Sequence, residues 1–441
     1  MALKVAVIGG GISGLAAAYR LGGLRHHVTL LEGEDFLGGL GTTFPWRGGH
    51  LERFYHCILP GDHALLRLIH ELGLGGELLW KRTGMGFMYQ RRIHPLNGAL
   101  DLLRFSPLTF YERLRMGLMG LRARIAGLDP GLDQVTAAEW VKAQAGERVF
   151  EILWRPLLEA KIGDRYPGLP ALWLSSRMSR EKNTAPEVKG CLVRGYRSLI
   201  DAFEHGLRER GAEIRLRTRV AAIERDGEGM ALRFADGRTG SFDLVVATSP
   251  LPQFQRMTRS LGLDPALADL GLDYQGVVSA VFLMEQPLTS HYWMPVVDSG
   301  ATCQGVIEMS NLVPPGRSAG LRVVYLVNYT HRDGALFAKS DDELLALYRS
   351  DLARLFPGAG GRVVDQFVFR APFVEPIWTL NYRALCPPTT AIPGRLYLAC
   401  TAQVYPRVNS WNSCCEVVEG MMPALAAETA VVWPPEPATS A

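Results

Sequence analysis

Leu3-Lys4-Val5-Ala6-Val7-Ile8 runs into Gly9-Gly10-Gly11-Ile12-Ser13-Gly14 and on through Leu15-Ala16-Ala17-Ala18-Tyr19-Arg20-Leu21; this stretch decides the fold. The first six residues are nearly all apolar, as a parallel strand covered on both faces should be. The alanine-rich segment reads as a helix, and Val28-Thr29-Leu30-Leu31 as a second strand closing on Glu32. The whole is a β-α-β unit with GxGxxG in its first turn. Gly9 permits the tight turn, Gly11 lets backbone approach a pyrophosphate, and Gly14 lets helix and strand pack closely. The helix start at Ile12 and Ser13 offers unpaired N–H groups and a positive dipole end to phosphates. Glu32, followed by Gly33, can accept hydrogen bonds from ribose hydroxyls. Strand, helix, strand and acid in this order predict dinucleotide binding.

Working outward, the 441 residues suffice for two or three domains, or for one domain carrying inserts. Hydrophobic residues at 48% and charged residues at 21% are ordinary globular proportions. Lys+Arg 47 against Asp+Glu 44 leaves a net charge of +3, which argues against a nucleic-acid binder with a broad basic surface. Seven cysteines, an odd number without a CxxC pair, fit neither a disulfide framework nor a structural zinc site. They point to a reducing cytoplasm. The chain opens on a strand where a leader would carry basic residues and an apolar run. No stretch reaches the roughly 18 to 20 uncharged apolar residues of a bilayer-spanning helix. The expectation is a cytoplasmic protein, free or peripheral on the inner face of the cytoplasmic membrane.

Residues 62 to 185 read as helical, broken at Pro95, Pro107, Pro130 and Pro167. From 191 to 250 the alternation of helix and strand returns, with strands at Glu213 to Leu216, Ala231 to Phe234 and Leu244 to Ala247, the last two flanking the turn Asp236-Gly237. Strand-like runs recur at Val277 to Met284, Arg322 to Tyr329 and Val363 to Phe369. A last strand, Leu396 to Ala399, precedes a helix from about Asn412, and the proline-rich tail from Pro434 reads as loose.

Six residues past Glu32 stands a second glycine cluster, Gly38-Gly39-Leu40-Gly41, followed by Thr42. From Val7 through Gly39 the chain resembles the FAD-binding opening of the flavin-dependent amine oxidase and protoporphyrinogen-oxidase-like superfamily. That group also holds phytoene desaturases and, more distantly, UDP-galactopyranose mutase. Arg219-Val220-Ala221-Ala222-Ile223 and Leu244-Val245-Val246-Ala247-Thr248-Ser249-Pro250 are similar to its second FAD-contacting region. Arg395-Leu396-Tyr397-Leu398-Ala399-Cys400-Thr401 is similar to its C-terminal flavin strand, and Leu51 to His56 and Glu71 to Leu74 also match the protoporphyrinogen-oxidase-like branch. Three departures stand out. Leu40 replaces the arginine that commonly follows the glycine doublet, Cys400-Thr401 replaces Gly-Asp or Gly-Glu, and Val408-Asn409-Ser410 replaces Asp-Arg-Gly.

The resemblance implies an α/β chain: a Rossmann-like FAD-binding domain of the GR2 type with an inserted substrate domain, part helical and part mixed β-sheet. The FAD domain would combine residues 1–75, 190–255 and 390–430. A helical insert (76–189) and a sheet-rich insert (256–389) would form the substrate domain, with a loose tail at 431–441. Beyond the first motif, the implied FAD contacts are Gly38, Gly39, Leu40, Gly41, Thr42, Val220, Ala247, Thr248, Cys400 and Thr401, with Ser410, Trp411 and Asn412 at the start of the last helix. The implied activity is that of an FAD-dependent oxidoreductase, dehydrogenating or desaturating an organic, hydrophobic substrate by hydride transfer to flavin N5. A flavin-dependent isomerase or mutase without net redox turnover, and a non-catalytic flavin-binding protein, are the alternatives. No metal site is expected, and the oligomeric state is left open.

No sequence-local constellation such as HExxH or a nucleophile elbow is present. Catalytic candidates are therefore single residues. His56, beside Phe54-Tyr55, is either a substrate-touching group or an ordinary packed histidine. Lys161 can bind an anionic substrate group or sit as a solvated helix lysine. Tyr382 and Trp378 are either substrate-facing aromatics or core. Cys414-Cys415 read as buried small hydrophobes.

One more segment, residues 108–128, carries a signal. Ser106-Pro107 is a helix-start pair, and Leu114, Leu118, Leu121, Ile125 and Leu128 recur at steps of four and three. Arg113, Arg115, Arg122 and Arg124 fall near the edges of that stripe, and Phe105, Leu108 and Phe110 would extend it upstream. Such a helix rests either on the protein's own core or on a membrane surface, with its arginines reaching lipid phosphates.

Overall fold

Strand Lys4–Ile8 is the hub of a six-stranded sheet in the computed structural model, which describes residues 2–126, 128–180, 187–297 and 300–429. The order across the sheet is Thr390–Ile392, Leu396–Leu398, Leu244–Ala247, Lys4–Ile8, His27–Leu31 and Glu213–Arg215. All neighbours run parallel except the Thr390–Ile392 edge strand, with Val7 opposite both Leu30 and Val246. Six strands from distant stretches of chain thus share one ladder. The first strand lacks alternation because both faces are covered. Val5 and Val7 pack under the helices Ile12–Gly23, Tyr196–Glu209 and Trp411–Glu428, while Ala6 and Ile8 face a second core with Leu251 and Phe254.

A three-stranded meander, Val220–Asp226, Gly229–Phe234 and Thr239–Phe242, stands beside this sheet. It corrects one expectation. The strand paired across Asp236-Gly237 is Thr239–Phe242, and Leu244–Ala247 belongs to the central sheet. Thr239-Gly240-Ser241-Phe242 carries a single large apolar residue, so pattern alone passes over it.

The second sheet is antiparallel, in the order Trp293–Pro295, Gly305–Glu308, Arg322–His331, Tyr274–Met284 and Val363–Pro376. Every residue of Tyr274–Met284 is buried. Its two faces feed different cores: Ala280 and Phe282 meet Tyr348 and Leu352 of helix Asp341–Leu355, whereas Val281 and Leu283 meet Phe44 and Trp46.

The first insert, expected to be helical, begins with strands. Leu78–Thr83 pairs antiparallel with Glu187–Leu192, and Gly86–Tyr89 forms a hairpin with Arg92–Pro95. Lys81 and Arg82 are exposed, and the partner of Leu78–Thr83 lies at the far end of the insert, so period and locality both hid the pairing. Helices follow, among them Ala99–Arg104, Phe110–Ala126, Ala137–Ala145, Arg155–Ile162 and Ala171–Arg180. The long helix starts at Phe110 rather than at Ser106-Pro107. Thr109 and Glu112 exchange side-chain and backbone hydrogen bonds across its first turn, and this reciprocal cap outcompetes the proline start. The tail read as loose, 431–441, lies outside the described residues.

The second sheet also holds a titratable group. Glu308 is buried and accepts hydrogen bonds from the backbone N–H groups of Leu288 and Thr289, yet burial pushes its carboxyl up to about 7. A folded-state value above the unfolded one means that the native state holds the extra proton, so stability falls as pH rises from about 4.5 to about 7. The loss across that window should be about 3 kcal/mol. Urea titrations at pH 5 and pH 8 check this: wild type should lose stability between them, and Glu308→Gln should flatten the difference.

Candidate functional site

The turn after the first strand is built for a ligand to come close. Gly9 adopts φ 107° and Gly38 φ 113°, conformations that side chains resist. A Cβ on Gly14 would lie 1.7 Å from the Gly9 carbonyl oxygen, so helix and turn meet there without any side chain between. The two glycine clusters are one structure. Gly38 N–H donates to the Gly10 carbonyl at 2.8 Å, and a Cβ on Gly39 would stand 3.1 Å from the Gly11 Cα. Glu32 braces the same loop: Oε2 accepts from Gly10 N–H at 2.6 Å and Oε1 from Glu34 N–H at 2.8 Å. Each carboxylate oxygen keeps a lone pair for a further donor.

From this cradle a cavity of about 1000 Å³ runs between the two sheets. Gly9, Gly11, Ile12, Ser13, Glu32, Gly33, Gly38, Gly39, Leu40, Val220, Thr248, Thr401, Ser410 and Trp411 line it. Thr248 Oγ1 donates to the Ile8 carbonyl at 2.8 Å, which ties the end of Leu244–Ala247 to that of Lys4–Ile8 beside the glycine turn. The last helix starts at the cavity with Ser410 as cap: Ser413 N–H donates to Ser410 Oγ, and Ser410 N–H to Ser413 Oγ at 2.8 Å. These features fit a flavin nucleotide. Bare backbone and the start of Ile12–Gly23 would take the phosphates, Glu32 a ribose, and the start of Trp411–Glu428 the ring system.

Several expected contacts prove to be supports. Gly14, in the first turn of helix Ile12–Gly23, and Ala247, in the central sheet, lie behind the cradle. Gly41 makes room for Trp411, whose ring would stand 1.8 Å from a Cβ there, and Thr42 is buried next to it. Cys400 does not line the cavity: it is buried, with its thiol pushed up to about 12 by desolvation, and it caps the short turn Thr401–Gln403. Asn412 is likewise absent from the lining. Its Oδ1 accepts from Leu65 N–H and its Nδ2 donates to Glu416, which fastens the last helix to helix His63–Glu71.

The catalytic candidates separate. Tyr382 is fully buried away from the cavity, its hydroxyl donating to the Ala402 carbonyl at 2.9 Å and its ring packed with Trp378 and Tyr405. It is a core residue under the Thr401 turn, and Trp378 shares that core. His56 does line the cavity, with Tyr196 and Trp411 around its ring. Nδ1 lies 3.0 Å from the Phe54 carbonyl, an acceptor only, so Nδ1 carries the proton and Nε2 is left as acceptor. Burial lowers its pKa and favours the neutral ring.

Lys161 is only partly exposed and already holds a carboxylate. Its Nζ lies 2.5 Å from Glu375 Oε2 and 3.9 Å from the centre of the Tyr329 ring, whose hydroxyl is 3.0 Å from that of Tyr55. A helix, two strands and the loop carrying Tyr55 thus meet in the cavity wall. Desolvation pushes the Tyr329 phenol up to about 12 and that of Tyr55 above its usual range, so both keep their protons. Sequence reasoning missed Glu375, Tyr329 and Tyr55 as a group; the only signal was Tyr55 next to His56. Among the described residues no cluster of His, Cys, Asp or Glu could hold a metal ion.

Comparison with known proteins agrees with this geometry. The sequence profile of the family described as flavin containing amine oxidoreductase matches residues 12–400. A coproporphyrinogen III oxidase of Mycobacterium tuberculosis is 25% identical over 444 residues, spanning 88% of this chain and 91% of that protein. The 15-cis-phytoene desaturase of Arabidopsis thaliana is 26% identical over 277 residues, spanning 56% and 48%. The crystal structure of reduced UDP-galactopyranose mutase superposes with a TM-score of 0.77 at 18% identity, covering 98% of this chain and 97% of that one, a likeness of fold. A double-glycine cradle, a strand order drawn from three stretches of chain and a profile match over most of its length place this chain in the flavin-containing amine oxidoreductase family, as a flavin-dependent oxidoreductase.

Proposed function

We propose that the flavin is FAD and that the protein dehydrogenates or desaturates an uncharged, hydrophobic organic substrate. The carrying observation is the charge balance of the cavity beyond the flavin cradle. Of the basic side chains beyond the cradle, Lys161 pairs with Glu375, Arg180 with Asp62 and Lys189 with Glu187, Arg177 lies over the Trp173 ring, and Arg124 stands exposed at the rim. With three of these cations met by carboxylates and Arg124 at the rim rather than within, the chamber does not call for a polyanionic substrate. The remaining wall is largely apolar and aromatic, including Tyr292, Trp293, Val327 and Phe373. A polyene or a neutral macrocycle suits such a wall better than a highly charged one.

A bound flavin would supply the oxidising ring that takes up a hydride. The chain's own residues hold and dry the site. The glycine turns and the start of Ile12–Gly23 would take the pyrophosphate, Glu32 the adenosine ribose, and backbone near Val220 the adenine. Trp411 and Tyr196 close the side next to His56, and the protonated Tyr55–Tyr329 pair with Lys161–Glu375 walls the substrate chamber against water.

Anaerobic mixing tests the reading. Purified protein reconstituted with FAD should be bleached by a hydrophobic reductant such as a carotene precursor or a porphyrinogen ester. Bleaching only by the tetra-anionic porphyrinogen would overturn the uncharged class. Turnover confined to dithionite-reduced enzyme, with a product of unchanged mass, would overturn dehydrogenation. The choice of FAD has its own check. Glu32→Ala should raise the Kd for FAD about ten- to a hundredfold, the scale of hydrogen bonds to a charged group. FMN, which has no adenosine and so no ribose for Glu32 to meet, should lose less affinity, only what the unbraced glycine loop costs.

A further inference from the structure

The helix Phe110–Ala126 lies across the helical insert with one face turned outward. Met119 and Ala123 on its inner face are fully buried in the core shared with Trp140 and Trp173. Its outer face is apolar and left open by the described residues: Phe110 is 65% exposed, Leu114 49%, Leu118 46%, Leu121 53% and Ile125 78%. Tyr111 and, on the preceding helix, Leu100 and Leu103 continue it. Phe105 and Leu108, expected to extend the patch, are buried beneath it and anchor the helix instead.

The arginines frame this face in a particular way. At about 100° per residue, Arg113 and Arg124 fall along one edge and Arg115 and Arg122 along the other. Arg113 donates to the carbonyls of Leu103 and Leu108, Arg115 to those of Ala143 and Gln144, and Arg122 to the Gln144 side chain. These acceptors are neutral, so the side chains are held in place with their charge intact. The helix's one acid, Glu112, is taken up by Arg148 at 2.6 Å. The same helix also bounds the cavity, since Met116, Gly117, Gly120, Leu121 and Arg124 line it. Leu121 and Arg124 are both exposed and cavity-lining, so the cavity opens at this face.

We propose that this face docks on the surface of a bilayer containing anionic phospholipid, with the apolar stripe sunk among the acyl chains and the two arginine rows at the headgroup phosphates. The arrangement specifies a bilayer because an apolar strip flanked on both sides by cations that no described carboxylate pairs, three of them held by neutral acceptors, matches a plane that is apolar within and anionic at its surface. The cavity then opens toward the acyl region, and a lipophilic substrate reaches it without crossing water. Among the described residues no helix is long and apolar enough to cross a membrane, so the contact is peripheral.

Flotation of the full-length, flavin-loaded protein with vesicles of phosphatidylcholine containing phosphatidylglycerol tests this, and it reads binding alone, whatever the substrate. Wild type should float at low salt and less at high salt. The double variant Leu118→Asp, Ile125→Asp alters exposed positions that do not line the cavity, so its flavin spectrum should be unchanged while its partitioning falls at least about tenfold. Wild type remaining at the bottom of the gradient would overturn the proposal. So would a double variant that floats like wild type, or a dimer by light scattering that the double variant converts to monomer, which would make the face a contact between copies of this chain.

Discussion

Gly14→Ala should yield protein with almost no bound flavin and lower stability by about 3 kcal/mol or more. The added methyl meets the Gly9 carbonyl oxygen at 1.7 Å, a backbone atom that no rotamer change can move aside. Relief requires shifting the whole helix Ile12–Gly23 off the sheet, and Ala16, Ala17 and Ala18 are packed there with almost no exposure. Gly11→Ala is the informative contrast. A Cβ at Gly11 finds only Gly39 Cα, at 3.9 Å, an ordinary contact, and projects toward the phosphate cradle. That variant should keep its stability and lose flavin affinity. Flavin absorbance per protein, measured beside thermal unfolding of the flavin-free forms, separates the two. Equal stability of both variants would show that the helix–turn contact is softer than its geometry.

Lys161→Met should cost about 3 kcal/mol, because it leaves the buried Glu375 carboxylate without its cation. Lys161→Met combined with Glu375→Leu should recover most of that loss, since replacing both charges by apolar groups removes the stranded one. The cycle distinguishes two roles for the lysine. If Lys161 bound an anionic part of the substrate, the single variant would change KM and leave unfolding untouched. Denaturant midpoints of the two single variants and the double variant decide the matter. The Tyr55–Tyr329 contact should report as well, since Lys161 sits over the Tyr329 ring.

The cradle was legible in the sequence because its parts are local. Gly9 through Glu32 and the Gly38-Gly39 doublet meet within a short span, and each glycine answers a steric demand that the motif states. The support residues were legible by position and misread by role. Gly41, Cys400 and Asn412 stand beside cavity-lining residues in the chain, yet packing against Trp411, the Thr401 turn and Leu65 turns them inward. Tyr382 failed for the same reason, since its aromatic neighbours bury it under Ala402. The chamber wall was not legible. Lys161, Glu375, Tyr329 and Tyr55 come from four separate stretches of chain, and no spacing along it encodes their meeting. The exposed helix face stood between: its period was plain, while whether it rests on core or lies open is a tertiary fact.

The strand order of the central sheet carries a consequence for how the protein comes into being. Lys4–Ile8 sits between Leu244–Ala247 and His27–Leu31, and Leu244–Ala247 pairs in turn with Leu396–Leu398. The helix that covers Ile12–Gly23 is Trp411–Glu428, close to the end of the described chain. On the ribosome, the first strand therefore emerges long before the partners that bury it. Contacts this far apart close slowly, and their unpaired edges are open to wrong partners in the interval. The cradle for the flavin is complete only when the last helix docks, so nascent chains lacking that helix should neither trap cofactor nor escape chaperones.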